Sequence, residues 1–320
     1  MDAHKTRPLH GLIAATHTPF DASGELNLAI VERQAAHLVE NRIEAAFIGG
    51  TTGESHSLAL EERRRLAQRW CEVARGAPLR VVVHVGSNCL VDAKELAGQA
   101  ARLGAPAIAA LAPSYFRPPD VSGLIEWCAA VASAAPDTPF YFYDIPVMTH
   151  VTFSMPDFLD QAAGRIPTLA GIKFSNYDLL TYQFCLHHNG GAFDIPWGVD
   201  EFLLAALALG ARGAVGSTYN FAAPIYHRLR DAFERGDINA ARREQFRSAQ
   251  LVKLLARYGY MASAKAVMKM VGVDVGPARL PHSSLTPDQI TKLRKDLEKL
   301  GFFDWITLGE SIRQPTEPAQ

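Results

Sequence analysis

Eight short apolar or β-branched runs recur along the chain, roughly 20 to 35 residues apart: Leu12 to Thr16, Ala45 to Gly49, Leu79 to Val85, Ala107 to Ala112, Phe140 to Tyr143, Leu169 to Phe174, Ile195 to Gly198 and Ala214 to Ser217. Eight is the number of strands that a closed β/α barrel requires. Helical patterns with recognisable ends separate most of the runs. Asp92 with Glu95 reads as a capping pair, Leu96, Ala100 and Leu103 as an apolar stripe, and Gly104 as the stop; Leu66, Trp70 and Val73 repeat the stripe before Gly76. Strands alternating with helices favour a parallel sheet with right-handed crossovers. After Asn220 no strand pattern returns, and the chain reads as helices from about Pro224 to Leu300. The last helix has Thr286 as N-cap, Pro287 at the first helical position, Gln289 closing the box, and Ile290, Leu293, Leu297 and Leu300 as its apolar face. The expected fold is therefore α/β, a (β/α)8 TIM barrel with a C-terminal helical extension. Residues 10–222 would form the barrel, 223–307 an extension packed on it, and 308–320 a loose tail.

The 320 residues suffice for a barrel of about 250 residues plus that extension. Acidic and basic residues nearly cancel, 33 against 32, so no global field draws nucleic acid or an anionic membrane. A small molecule or another copy of the chain is the expected partner. Cys71, Cys89, Cys128 and Cys185 lie far apart without a Cys-x-x-Cys pair, which fits neither a disulfide scaffold nor a thiolate metal site. No stretch approaches the ~18 apolar residues that span a bilayer, and Met1 to His10 has no apolar leader core. The expected location is the cytoplasm.

Lys173 lies in Leu169-Ala170-Gly171-Ile172-Lys173-Phe174-Ser175, which alternation divides into two faces. Ala170, Ile172 and Phe174 would pack on helices, while Leu169, Gly171, Lys173 and Ser175 would point inward, the lysine near the C-terminal end where barrel sites sit. An amine in a partly dry pocket loses solvation, its pKa falls, and the free base can attack a carbonyl. The plainer reading is a lysine that reaches water or pairs with a carboxylate. Tyr141 and Tyr143 share a face of the preceding strand, so Tyr143 could shuttle protons beside the lysine or simply be a core tyrosine. Gly49-Gly50-Thr51-Thr52-Gly53-Glu54 follows an apolar strand. Its glycines would let backbone amides and two threonine hydroxyls approach a small anion, unless it is only a βα turn. No Gly-Lys-Ser/Thr follows, and Gly-x-Gly-x-x-Gly is absent, so neither nucleotide motif applies.

Five ordered segments together are more specific than any one: Gly50 to Glu54, Tyr143-Asp144-Ile145-Pro146, Gly171 to Ser175, Gly198-Val199-Asp200-Glu201 and Gly213 to Asn220. In order and spacing they resemble the dihydrodipicolinate synthase and N-acetylneuraminate lyase superfamily, from Leu12 to about Leu300. The resemblance implies that Lys173 forms an imine with a 2-keto acid, that Thr51 and Thr52 hold its carboxylate, and that Tyr143 takes the proton from the C4 hydroxyl during retro-aldol cleavage. The protonated imine would be the electron sink, so neither cofactor nor metal is expected. His84 and His150 invite a metal reading, but no His-x-His pair follows the first strand, where metal hydrolases on this fold often place one. Tyr115 resembles the tyrosine that relatives insert into a neighbouring subunit's site, which implies a homotetramer.

Synthases of the superfamily carry an arginine two residues after the proline of Tyr-x-x-Pro; Met148 stands there and lacks the bidentate donor. Gly198, Asp200, Glu201, Gly216 and Ser217 resemble the lyase motifs for a polyhydroxylated tail, with Ser175 in place of a threonine found in some lyases. Ala264 to Met268 and Gly276 to Pro281 also resemble the lyase branch. The expected reaction is class I aldolase cleavage of the sialic acid N-acetylneuraminate to N-acetylmannosamine and pyruvate. Asp144, where lyases usually have asparagine or histidine, adds a charge and leaves room for a lyase of another sugar acid. The alternatives are 4-hydroxy-tetrahydrodipicolinate synthase, a 2-keto-3-deoxy sugar acid aldolase and, outside catalysis, a binding protein for 2-keto acids or sialic acid.

Overall fold

A computed structural model describes residues 8–307. Seven parallel strands form one sheet: β1 (Gly11–Ala15), β2 (Ala45–Ile48), β3 (Arg80–His84), β4 (Ala107–Leu111), β5 (Phe140–Asp144), β6 (Leu169–Phe174) and β7 (Gly213–Gly216). Their order is β6-β5-β4-β3-β2-β1-β7, so β6 and β7 are the two edges. The gap between those edges is filled by the expected seventh run. Parallel bridges join Asp194 to Gly171, Trp197 to Phe174 and Trp197 to Ala214, and the barrel closes through them.

That run is less regular than expected because of Pro196. Asp194 N–H donates to Ala170 O, Ile172 N–H to Asp194 O, Phe174 N–H to Pro196 O and Gly198 N–H to Phe174 O. The rung between them would need an N–H on Pro196, which proline lacks. The segment thus pairs on both sides without forming an uninterrupted strand.

Alternation sorts the strand residues into two apolar clusters. Ile13, Ala45, Phe47, Val82, Ala109, Leu111, Tyr141, Tyr143 and Val215 fill the barrel, whereas Leu12, Ala46, Val83, Ile108, Phe142, Ile172 and Phe174 pack against the helices. The inward phase expected for Leu169 fails. Phe140 pairs with Leu169 but Tyr141 with Gly171, so β6 carries one extra residue there. This irregularity turns Leu169 toward the helix layer and Ala170 toward the interior, then restores the expected phase from Gly171 to Lys173.

The helix Leu90–Arg102 begins one turn earlier than its Asp92-Glu95 pair suggests. Cys89 is its N-cap, without a side-chain cap bond, and Asp92 falls in the first turn, where a carboxylate suits the helix dipole. The box at the helix Pro287–Leu300 is as expected, with Thr286 N–H donating to Gln289 Oε1 at 2.9 Å and Gln289 N–H to Thr286 Oγ1 at 3.2 Å. Leu293 and Leu297 are buried there, while Ile290 is partly exposed. The division expected after residue 222 falls inside the helix Tyr219–Glu234, which packs on β1, and the helices Ile238–Arg257 and Tyr260–Met270 follow it. The expected tail, 308–320, lies outside the described residues.

Candidate active site

A cavity of about 270 Å³ opens where the strands end at their C-termini. Its lining includes Thr51 and Thr52 after β2, Tyr143 on β5, Lys173 and Ser175 at the end of β6, Gly198, Asp200 and Glu201 on the closing segment, and Ser217 after β7. A larger hollow of about 730 Å³ lies beside Arg228, Arg247 and Trp305. Arg228 and Arg247 are already paired with Glu244, so chemistry rather than size distinguishes the candidate site.

Lys173 is 3% exposed. Its Nζ lies 3.6 Å from the centre of the Tyr143 ring and 4.1 Å from that of Phe47. Among the described residues Lys173 makes no ion pair. Burial holds its pKa below the ordinary lysine value, opposed by Tyr143 and Asp200. The result is an enclosed amine biased toward its nucleophilic form. The Tyr143 hydroxyl shares a 3.3 Å hydrogen bond with Thr51 Oγ1, linking the phenol to the glycine-rich turn.

Beneath these groups, His84 is a framework residue. Its ring meets Tyr143 edge to face at 5.9 Å, Nδ1 lies 2.8 Å from Gly49 O, and Leu111 N–H points at Nε2 from 3.3 Å. Those partners assign the neutral Nδ1–H tautomer, and burial accordingly pushes the imidazole pKa well down. Among the described residues no cluster of three or more His, Cys, Asp or Glu could hold a metal ion.

At the opposite wall, Thr218 donates its N–H and hydroxyl to Asp200 Oδ2 at 2.8 and 2.5 Å. Burial nevertheless pushes the Asp200 carboxyl up to about 6. Gly216 does not line the cavity; a Cβ there would collide with Asp200 Oδ1 and the Tyr219 ring. Gly198 is required for a similar reason, since a Cβ would strike Ser175 Oγ and Phe174 O. Tyr115 does not line this cavity and is 78% exposed, set edge to face against Phe116 at 4.9 Å.

Residues 8–300 match the model of the dihydrodipicolinate synthetase family. The chain belongs to that family. It is 40% identical to N-acetylneuraminate lyase of Gallus gallus over 298 residues, covering 92% of this chain and 97% of the relative. Among solved structures, the N-acetylneuraminate lyase of Proteus mirabilis superposes with a TM-score of 0.90 at 38% identity, covering 92% of this chain and 100% of that one. The N-acetylneuraminate lyase (sialic acid aldolase) of Aliivibrio salmonicida gives 0.90 at 40%, covering 92% and 98%.

Met148 is 54% exposed, and its neighbour Val147 lines the cavity instead. Asp144 adds no charge to the cavity wall: its carboxyl is buried behind β5, accepts from Asn176 Nδ2 at 3.1 Å, and is raised to about 7 by burial. Sequence reasoning missed Tyr177, whose hydroxyl donates to Glu201 Oε1 at 3.1 Å, and Tyr260, whose hydroxyl lies 2.5 Å from Ser217 Oγ. Both line the cavity. Tyr177 is a loop residue and Tyr260 opens a helix remote in sequence, so neither had a periodic signal to mark it.

Proposed function

We propose that this chain is a Schiff-base lyase that cleaves N-acetylneuraminate to N-acetylmannosamine and pyruvate. One observation carries the reading: an enclosed Lys173 amine, with no ion pair among the described residues, stands between a threonine turn and a wall of Asp200, Glu201 and Ser217. This is the arrangement that a long molecule with a ketone near one end and hydroxyls at the other would occupy. The relatives' names support the same substrate.

The amine of Lys173 adds to the substrate C2 ketone, and water leaves to give a protonated imine. Thr51 and Thr52 hold the C1 carboxylate through hydroxyl and backbone donors. Tyr143 accepts the C4 hydroxyl proton, the C3–C4 bond breaks, and its electron pair flows into the imine, leaving a pyruvate enamine. The aldehyde departs, C3 is protonated, and water hydrolyses the imine. Asp200, Glu201, Ser175 and Ser217, with Gly198 and Gly216 keeping space for them, receive the hydroxylated tail.

The active form we propose is a homotetramer in the cytoplasm, with Tyr115 reaching a neighbouring subunit's site. Tyr115 and Phe116 are exposed on one loop, and Leu180 and Phe184 on the helix Leu179–His187 are 68% and 61% exposed. Sedimentation should give about four times the chain mass. No helix of the described residues is long and apolar enough to cross a membrane, and the four cysteines are unpaired.

Borohydride trapping tests the chemistry. With pyruvate the wild type should gain about 72 Da, the mass of a reduced pyruvyl imine. Lys173→Ala should gain nothing; equal labelling of that variant would refute the assignment. Tyr143→Phe should still be labelled but cleave about 10²-fold more slowly.

A further inference from the structure

Three charged residues that the mechanism leaves unused meet at the threonine turn: Glu54 from the turn itself, Lys265 from the helix Tyr260–Met270, and Arg279 from the segment after it. Lys265 Nζ lies 2.6 Å from Glu54 Oε1, with both side chains almost fully buried at 2% and 0% exposure. The same ammonium donates to Thr18 O at 3.0 Å and Pro277 O at 2.8 Å. The ammonium therefore has one ion-pair partner and two carbonyl acceptors. Arg279 N–H donates to Glu54 Oε2 at 2.8 Å, and the Lys265 and Arg279 cations both face the Phe20 ring, at 4.3 and 4.4 Å.

The grip falls on the backbone that presents Thr51 and Thr52. Glu54 N–H donates to Thr51 O at 3.0 Å and Ser55 N–H to Gly50 O at 3.2 Å, so Glu54 closes the turn. It does so with φ 54°, a left-handed conformation that a residue with a side chain adopts only when its surroundings hold it there. Thr18 adds a second tie, its hydroxyl donating to Gly53 O at 2.6 Å while its carbonyl is held by Lys265. Lys265 does not line the cavity, yet its helix begins with Tyr260 and Met261, which do. One buried ammonium thus links the turn at one end of the site to the wall at the other.

We propose that Lys265 is a positioning residue for 2-keto acid recognition: acting through Glu54, it sets the turn whose Thr51 and Thr52 receive the substrate carboxylate. The inference rests on the Schiff-base reading. With the ammonium gone, the Glu54 carboxylate is left buried without its partner, and the strained turn is the element freest to move.

The test compares borohydride trapping of pyruvate with that of methyl pyruvate, the same ketone without the carboxylate charge. Lys265→Met, Glu54→Gln and the double variant are measured against wild type, with the thermal midpoint recorded for each. The half-saturating pyruvate concentration should rise about 10-fold or more, the loss expected for a misaligned charge-assisted hydrogen bond. That for methyl pyruvate should stay within about 2-fold, with maximal labelling unchanged. Lys265→Arg should recover much of the preference for the acid. If Lys265→Met does not fold, the double variant, which leaves no lone buried charge, decides the matter. Equal shifts for both ketones, or a lower midpoint with unshifted pyruvate saturation, would reduce Lys265 to a stabilising residue and overturn the proposal. No trapping on the wild type overturns the Schiff-base reading and this inference with it; trapping on the wild type with unshifted variants overturns only the role of Lys265.

Discussion

Lys173 and Asp144 sit within two neighbouring strand ends and show opposite uses of burial. For the amine, enclosed by the faces of Tyr143 and Phe47, loss of water favours the neutral base and outweighs the opposing effects of Tyr143 and Asp200. For Asp144, loss of water favours the neutral acid, and the single bond from Asn176 does not offset it. A carboxyl whose folded pKa is raised to about 7 binds its proton more tightly in the folded state than in the unfolded chain. Its contribution to stability is therefore full at low pH and is lost as pH rises through about 4 to 7. Asp144→Asn should remove that slope, so the variant should gain on the order of 2 kcal/mol relative to wild type between pH 5 and pH 8. Urea midpoints at the two pH values check this. A constant difference between the proteins would place the proton elsewhere.

Among the elements, the closing segment around Pro196 needs the most explanation. Backbones approach there more closely than side chains permit: a Cβ on Gly171 would collide with Asp194 O, and one on Gly198 with Ser175 Oγ. Small residues and the missing proline donor let the segment lie between β6 and β7 and still deliver Asp200 and Glu201 to the cavity. Gly198→Ala should cost about 1 to 3 kcal/mol by overpacking and weaken sugar-acid cleavage more than pyruvate imine formation. The unfolding midpoint and the ratio of the two activities measure this. An alanine variant of unchanged stability would mean the segment has room that the geometry does not show. The β6 irregularity belongs to the same scale, since it leaves Lys173 inward while displacing Leu169.

For the whole molecule, the barrel brings the threonine turn, an amine and an acidic, hydroxyl-bearing wall around one cavity of about 270 Å³. The absence of an arginine at Met148 should govern the choice of aldehyde in the reverse direction. A lost charge-assisted hydrogen bond is worth about 1.5 to 3 kcal/mol, roughly 10- to 150-fold, before repulsion from Asp200 and Glu201 is counted. N-acetylmannosamine should therefore outcompete aspartate semialdehyde as the partner of pyruvate. The ratio of kcat/KM for the two aldehydes decides it. Preference for the semialdehyde would remove the lyase reading and leave the Schiff base intact, whereas reaction only with a smaller sugar aldehyde would point to another sugar acid.

The sequence by itself determined the barrel, the inward phase of Lys173 and Tyr143, and the turn with Thr51 and Thr52. These follow from periodicities of two and 3.6 residues and from motifs compact enough to be local. The capping box at Thr286 was legible for the same reason. Only the tertiary structure decided that Asp144 lies behind the strand rather than in the cavity, that Tyr177 holds Glu201, and that Tyr260 reaches Ser217. It also joined Glu54 to Lys265, residues far apart in the chain whose charges are tolerable in the interior only because folding brings them together. Local spacing reports which face a residue occupies; it carries no information on which distant group fills the space opposite.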